Sequence, residues 1–175
     1  MIFAKTKLEG TYLIELEKKY DRRGFFARVW CQNEFTVHGL IARLVQINLS
    51  FNKHRGTLRG MHYQVAPFEE SKLVRCTRGG IYDVIIDLRP ASSTYKQWIG
   101  VELTADNYKM LYVPKGFAHG FQTLEDHTEV TYQVSQFYAP QAERGVRYDD
   151  PAFSIVWPLD VRVISDKDSH WPDYL

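Results

Sequence analysis

Short apolar and β-branched runs recur roughly every eight to twelve residues along this chain, separated by Gly, Pro, Asp and Asn. That spacing leaves little room for long amphipathic helices and is the habit of a β-sandwich or barrel. Alternation predicts strands over Thr11–Leu16, Gly24–Trp30, Arg43–Phe51, Lys72–Thr77, Ile81–Leu88, Trp98–Thr104, Met110–Val113, Ala118–Leu124, Val130–Val134 and Gly145–Tyr148. Arg78-Gly79-Gly80 predicts a hairpin, because glycine reaches positive φ without steric cost. Cys31–Val37 reads as one short helix, closed by His38-Gly39 with the glycine left-handed. The tail, residues 149–175, is rich in Pro, Asp and Trp and is expected to be irregular, wrapped over the barrel. No linker, repeat or low-complexity segment interrupts the pattern, so one domain is expected over residues 1–175. A chain of this length buries roughly 70% of its unfolded surface and needs no staple.

Charge and cysteine usage narrow the function classes. The chain carries 22 basic and 21 acidic residues, a net charge of +1, which gives no general electrostatic case for nucleic acid or membrane. Any phosphate site must therefore be local. Cys31 and Cys76 lie far apart, with no ligand spacing around them, and imply neither a disulfide framework nor a structural zinc. The N-terminal residues lack the apolar run of a signal peptide, and no apolar stretch reaches the ~18 residues of a membrane span. A cytoplasmic protein is expected. The rings, 11 Tyr, 10 Phe and 4 Trp, suit a strand-rich fold and offer surfaces on which a base or sugar can stack.

One stretch concentrates chemistry: Arg59-Gly60-Met61-His62-Tyr63-Gln64, with Lys72 shortly after it. Cations beside an imidazole disfavour its protonated form and leave it able to accept a proton, and the same cations can hold a phosphorylated substrate. Strict alternation puts His62 on the face of Leu58, Gly60 and Gln64, and Arg59 on the other face with Met61 and Tyr63. Both can line one cavity only if a bulge or kink near Gly60 brings them together.

Pro114-Lys115-Gly116-Phe117-Ala118-His119-Gly120-Phe121 resembles the second motif of the cupin jelly rolls. In metal-binding cupins the first motif carries a His-x-His pair, whereas this chain has His62-Tyr63-Gln64. The ligand set a transition metal needs is incomplete, so no metal is expected. A narrower resemblance covers nearly the whole chain. It is carried, in order, by Asp21-Arg22-Arg23-Gly24-Phe25-Phe26, Gly56 to Gln64, Lys72-Leu73-Val74, Asp83 to Arg89, Pro114 to Phe121, Phe137-Tyr138-Ala139-Pro140 and Ser165-Asp166-Lys167-Asp168. These blocks are similar to those of the dTDP-4-dehydrorhamnose 3,5-epimerase family.

The resemblance implies an all-β, cupin-type jelly roll with short peripheral helices. It also implies an isomerase that inverts the carbons flanking the ketone of a nucleotide-linked 4-keto-6-deoxyhexose, without a metal or redox cofactor. A C–H beside a carbonyl is a weak acid, so inversion needs a base on one face, stabilisation of the enolate and an acid on the other face. By resemblance His62 is the base, Tyr132 the opposite-face acid, Lys72 the cation beside the oxyanion, and Asp168 the carboxylate paired with the base. Asp83, on a nearby predicted strand, is a second candidate for that pairing. For the nucleotide-sugar the resemblance implicates Arg23, Phe26, Gln46, Asn48, Arg59, His119, Tyr138, Glu143 and Lys167. It further implies a homodimer, and the aromatic strand around Phe25 and Phe26 is one that a barrel can donate to a neighbouring sheet, completing that neighbour's site. One departure is Ala27-Arg28, where the family commonly carries a glutamate after the paired phenylalanines; it bears on which base is preferred. The rival readings are a mono-epimerase at carbon 3 or carbon 5 on a CDP-, GDP- or dTDP-linked sugar, a 3,4-ketoisomerase on the same barrel, and a non-catalytic sugar-nucleotide-binding jelly roll.

Overall fold

The alternating runs become thirteen strands in a computed structural model that describes residues 1–174. They are β1 (Ile2–Lys5), β2 (Tyr12–Glu15), β3 (Lys19–Asp21), β4 (Gly24–Phe26), β5 (Gln46–Asn52), β6 (Leu58–Gln64), β7 (Lys72–Arg78), β8 (Gly80–Asp87), β9 (Trp98–Thr104), β10 (Met110–Val113), β11 (Phe117–Thr123), β12 (Thr128–Val134) and β13 (Glu143–Gly145). Two short helices, α1 (Gln32–Val37) and α2 (Asp166–Ser169), complete the regular structure with a single 3-10 turn. No helix among the described residues is long and apolar enough to cross a membrane.

Six strands form one sheet in the order β1-β2-β10-β7-β12-β5, five form a second in the order β13-β6-β11-β8-β9, and β3 and β4 make a separate hairpin. The chain passes repeatedly between the two large sheets, giving the expected jelly roll. Between them, Val74, Cys76, Leu111 and Val130 meet Ile81, Ile85, Leu103 and Phe121. Each of the Val, Ile, Leu and Phe side chains, fully withdrawn from water, contributes roughly 1.5–3 kcal/mol. The outer face of the five-stranded sheet is covered by the tail through Phe153, Ile155, Trp157 and Tyr174. On that of the six-stranded sheet, Phe3 of β1 packs with Trp30 and with Phe35 of α1, which partly cover it.

Arg78-Gly79-Gly80 does not close a hairpin. β7 lies between β10 and β12, whereas β8 lies between β11 and β9, so the turn carries the chain from one sheet to the other. The reason is burial: Val74 and Cys76 meet Ile81 and Ile85 face to face across the sandwich, which side-by-side pairing would forbid. Gly79 is still required, at φ 72°, because a Cβ there would stand 2.6 Å from Thr128 Oγ1. The strand expected over Gly24–Trp30 stops at Phe26, since the β3–β4 hairpin has no further neighbour to pair with. The last strand is Glu143–Gly145 rather than Gly145–Tyr148, because residues 143–145 are those set opposite β6. The tail is not irregular throughout, since it contains α2. Ser165 caps it by accepting from the Asp168 amide, and Gly39 ends α1 at φ 70° as expected.

Candidate active site

Burial along β5 inverts the usual sandwich pattern. Polar Gln46, Asn48 and Ser50 face inward, while apolar Ile47, Leu49 and Phe51 are exposed. The inward polar row opens a cleft between the sheets at the end the apolar core does not fill. It comprises two cavities, of about 470 Å³ and about 340 Å³. Both are lined by His62, Lys72 and Tyr132, which therefore stand where the cavities meet. His62 comes from β6 in the five-stranded sheet, and Lys72 and Tyr132 come from the opposing sheet.

The anticipated distortion of β6 is present. Pairing with β11 matches His119 to His62 and then Phe121 to Arg59, so β6 carries an extra residue at a bulge. Gly60 sits there at φ 126°, and a Cβ would lie 2.5 Å from the Gly120 Cα. Only glycine tolerates both constraints. Arg59 and His62 consequently line the same cavity despite being an odd number of residues apart.

His62 Nε2 lies 2.6 Å from Asp168 Oδ1, and the other carboxylate oxygen accepts from the Gly60 amide at 3.1 Å. The carboxylate side chain is 6% exposed and that of the histidine 33%, so a buried anion backs a partly open ring. Burial works to raise the Asp168 carboxyl, but the hydrogen bonds from His62 and from the Gly60 amide hold it below the usual carboxylate range. It is an anion at neutral pH, suited to fix the tautomer of His62 and stabilise its imidazolium. Trp171, just past the end of α2, meets the His62 ring edge-on at 6.5 Å.

Burial pushes the Tyr132 phenol above its ordinary range, against the opposing pull of Arg59. The hydroxyl therefore stays protonated and can donate. Lys72 Nζ lies 3.4 Å from the His62 carbonyl oxygen and 3.2 Å from Glu70 Oε1, so these two acceptors hold the ammonium in the cleft.

Most of the remaining sequence-predicted residues gather around this centre. Gln46, Asn48, Tyr138 and Glu143 line the larger cavity, and Arg59 and His119 the smaller. Arg59 is aimed by Asn52, whose Oδ1 accepts from its Nε at 2.7 Å. Tyr138 donates to Glu143 at 2.7 Å, and Lys167 pairs with the same carboxylate at 2.6 Å. Arg23 and Phe26 line neither cavity: they lie on the exposed β3–β4 hairpin, where Arg23 pairs with Asp21 at 2.6 Å. Arg28, at the departing position, pairs with Glu34 at 3.2 Å on the surface. Asp83 is not the partner of His62. It pairs with His119 at 2.8 Å, because β8 and β11 are neighbours and Asp83 lies opposite Phe121 there.

Sequence reasoning missed Glu70, Asn52 and Trp171. Glu70 precedes Lys72 by two residues, the spacing that puts side chains on one face of extended chain, whereas Trp171 lies past the end of α2 and no periodicity relates it to Asp168. Nothing local in the sequence marks Asn52.

Residues 5–174 match the sequence model of the dTDP-4-dehydrorhamnose 3,5-epimerase family. A dTDP-4-dehydrorhamnose 3,5-epimerase of Sinorhizobium fredii is 42% identical over 173 residues, covering 98% of this chain and 89% of that protein. The crystal structure of a dTDP-4-dehydrorhamnose 3,5-epimerase from Bacillus anthracis with TDP and PPi bound superposes with a TM-score of 0.95 at 40% identity, covering 99% of each chain. A Legionella pneumophila 3,5-epimerase in complex with dTDP-4-keto-L-rhamnose gives a TM-score of 0.89 at 34% identity, covering 99% of this chain and 98% of that one.

Proposed function

The chain belongs to the dTDP-4-dehydrorhamnose 3,5-epimerase family, and on that premise we propose how its residues carry out the reaction. It is an isomerase acting on a nucleotide-linked 4-keto-6-deoxyhexose and inverts carbons 3 and 5, converting dTDP-4-dehydro-6-deoxyglucose to dTDP-4-dehydrorhamnose. The observation that carries the mechanism is the shared lining of the two cavities: an imidazole on one sheet, and a phenol and an ammonium on the other.

In this reading the hexose ring lies in the cleft between the two sheets. His62 takes the proton from the carbon beside the ketone, the C–H electron pair moves into the ring as an enolate, and negative charge collects on the C4 oxygen. Lys72 stabilises that charge. Tyr132 then gives its proton to the opposite face of the same carbon, inverting it. Water returns a proton to the phenolate and removes one from the imidazolium, so the enzyme ends as it began. Asp168 holds the imidazolium between the two transfers. The second carbon is processed alike after the ring is turned.

Arg59 and His119 in the smaller cavity suit the diphosphate, as a guanidinium pairs with phosphate oxygens in bidentate fashion. Gln46, Asn48, Tyr138, Glu143 and Lys167 hold the rest of the nucleotide-sugar. Arg23 and Phe26 reach a site only as part of a homodimer, entering from the partner's hairpin. Support for that assembly is the exposed row Ile47, Leu49 and Phe51, 67%, 61% and 42% exposed, an apolar stripe that a second copy would cover. A cytoplasmic location fits a substrate of this class.

The test is incubation with dTDP-4-dehydro-6-deoxyglucose in D2O, following carbons 3 and 5 by NMR. Deuterium at both, with inversion, is the expected result. Uptake at one carbon alone would make the enzyme a mono-epimerase, and no uptake at all would leave a binding protein.

A further inference from the structure

We propose that Glu70 is a specificity-determining residue of this site: its free carboxylate oxygen accepts a hydrogen bond from the hydroxyl on carbon 3 of the hexose, the hydroxyl beside the ketone. The inference rests on the epimerase reading above and deepens it.

Glu70 lines the larger cavity with His62, Lys72 and Tyr132, although its side chain is only 9% exposed. One oxygen, Oε1, is committed to Lys72 at 3.2 Å. The other, Oε2, is buried and has no hydrogen-bond partner among the described residues. A buried carboxylate oxygen without a donor costs free energy that a fold retains only where something else supplies the donor. Glu70 also lines the larger cavity together with Tyr132 and is one of the charges acting on that phenol.

The chemistry of the substrate identifies the donor. Lys72 attends the C4 oxygen, so an oxygen on a carboxylate clamped to Lys72 faces the substituents of the carbons flanking C4. Carbon 5 bears a methyl group and the ring oxygen, neither of which donates. Carbon 3 bears a hydroxyl. It is the one donor next to the ketone, and a carboxylate accepting from it also aligns the ring so that C3–H or C5–H meets His62.

A site built to bond a hydroxyl rejects the analogue lacking it, because the buried acceptor is then left unpaired. The probe is a dTDP-linked 3,6-dideoxy-4-keto-hexose compared with the 3-hydroxy substrate, both read by deuterium exchange at carbon 5. Wild type is expected to favour the hydroxylated sugar by at least about a hundredfold in the kcat/KM of exchange. In Glu70→Met, which fills the space without an acceptor of that strength, the preference should fall to within a few-fold while both rates drop. If Glu70→Met does not melt cooperatively, Glu70→Gln is read instead. It keeps an oxygen for Lys72 and exchanges a charged acceptor for a neutral amide, so the preference should fall roughly tenfold. A preference unchanged in the variant that folds, with both rates lowered equally, would show Glu70 acting through Lys72 alone and would overturn the proposal. Failure of the epimerase reading looks different, since wild type would then exchange neither sugar.

Discussion

Replacing Asp168 by asparagine removes one charge and almost no volume, which isolates what the carboxylate does for His62. In the native site Nε2 donates to Oδ1 at 2.6 Å, leaving Nδ1 as the ring's acceptor. An asparagine can keep the Gly60 amide bond through its oxygen, but its amide nitrogen then faces Nε2 and favours the tautomer with the proton on Nδ1. The base is thus protonated where it should be bare. The charge effect adds to this. At an effective dielectric of about 20, unit charges about 4 Å apart interact by about 4 kcal/mol, the stabilisation the imidazolium would lose. That corresponds to about a thousandfold in rate. With the His62 side chain 33% exposed, solvent screens part of it, so the expected loss in kcat is between about a hundredfold and a thousandfold. KM should change little, since no substrate contact is removed. The assay is the initial rate of solvent exchange at carbons 3 and 5, with circular dichroism to verify the fold. A folded Asp168→Asn enzyme within tenfold of wild-type kcat would refute the pairing argument.

Tyr132→Phe keeps the ring and removes the acid, so deuterium should still enter from the His62 face with retention while inverted product falls by at least about a hundredfold; inversion at the wild-type rate would assign the acid elsewhere. Asp87 is a stability test remote from the chemistry. Burial works to raise its carboxyl, but bonds from Arg89, Ser92 and Thr94 bring it down to about 2. A carboxyl depressed in the folded state contributes stability above its unfolded value of about 3.9 and loses it as the pH falls toward about 2. The contribution at neutral pH is roughly 2–3 kcal/mol. Urea titrations between pH 2 and pH 5 should therefore show a steeper loss of stability for wild type than for Asp87→Asn, and parallel curves would rule the network out as the source.

How much was legible in the sequence depends on the range of the interaction. The period-two pattern located most strands to within a residue or two, because each strand's own burial writes that pattern. It could not say which strands are neighbours. Residues 78–80 have the glycines of a hairpin, yet the chain crosses between sheets there, since Val74 and Ile81 must face one another. The bulge at Gly60 was legible for the opposite reason: two residues of opposite parity, Arg59 and His62, were both wanted in one cavity. The pairing of His62 with Asp168 spans 106 residues, and only the resemblance pointed to it. Asp83 was the plausible rival, and β8–β11 pairing gave it to His119 instead. Glu70 escaped notice because a glutamate near a lysine reads as an ordinary solvated pair; its burial is a property of the assembled cleft.

The most direct test of the central claim, that His62 removes the proton in this cleft, is solvent-deuterium incorporation by His62→Ala with dTDP-4-dehydro-6-deoxyglucose, alongside wild type. The account predicts a folded protein that takes up no deuterium at carbon 3 or carbon 5 in the time wild type reaches equilibrium. Exchange at either carbon at close to the wild-type rate would contradict it.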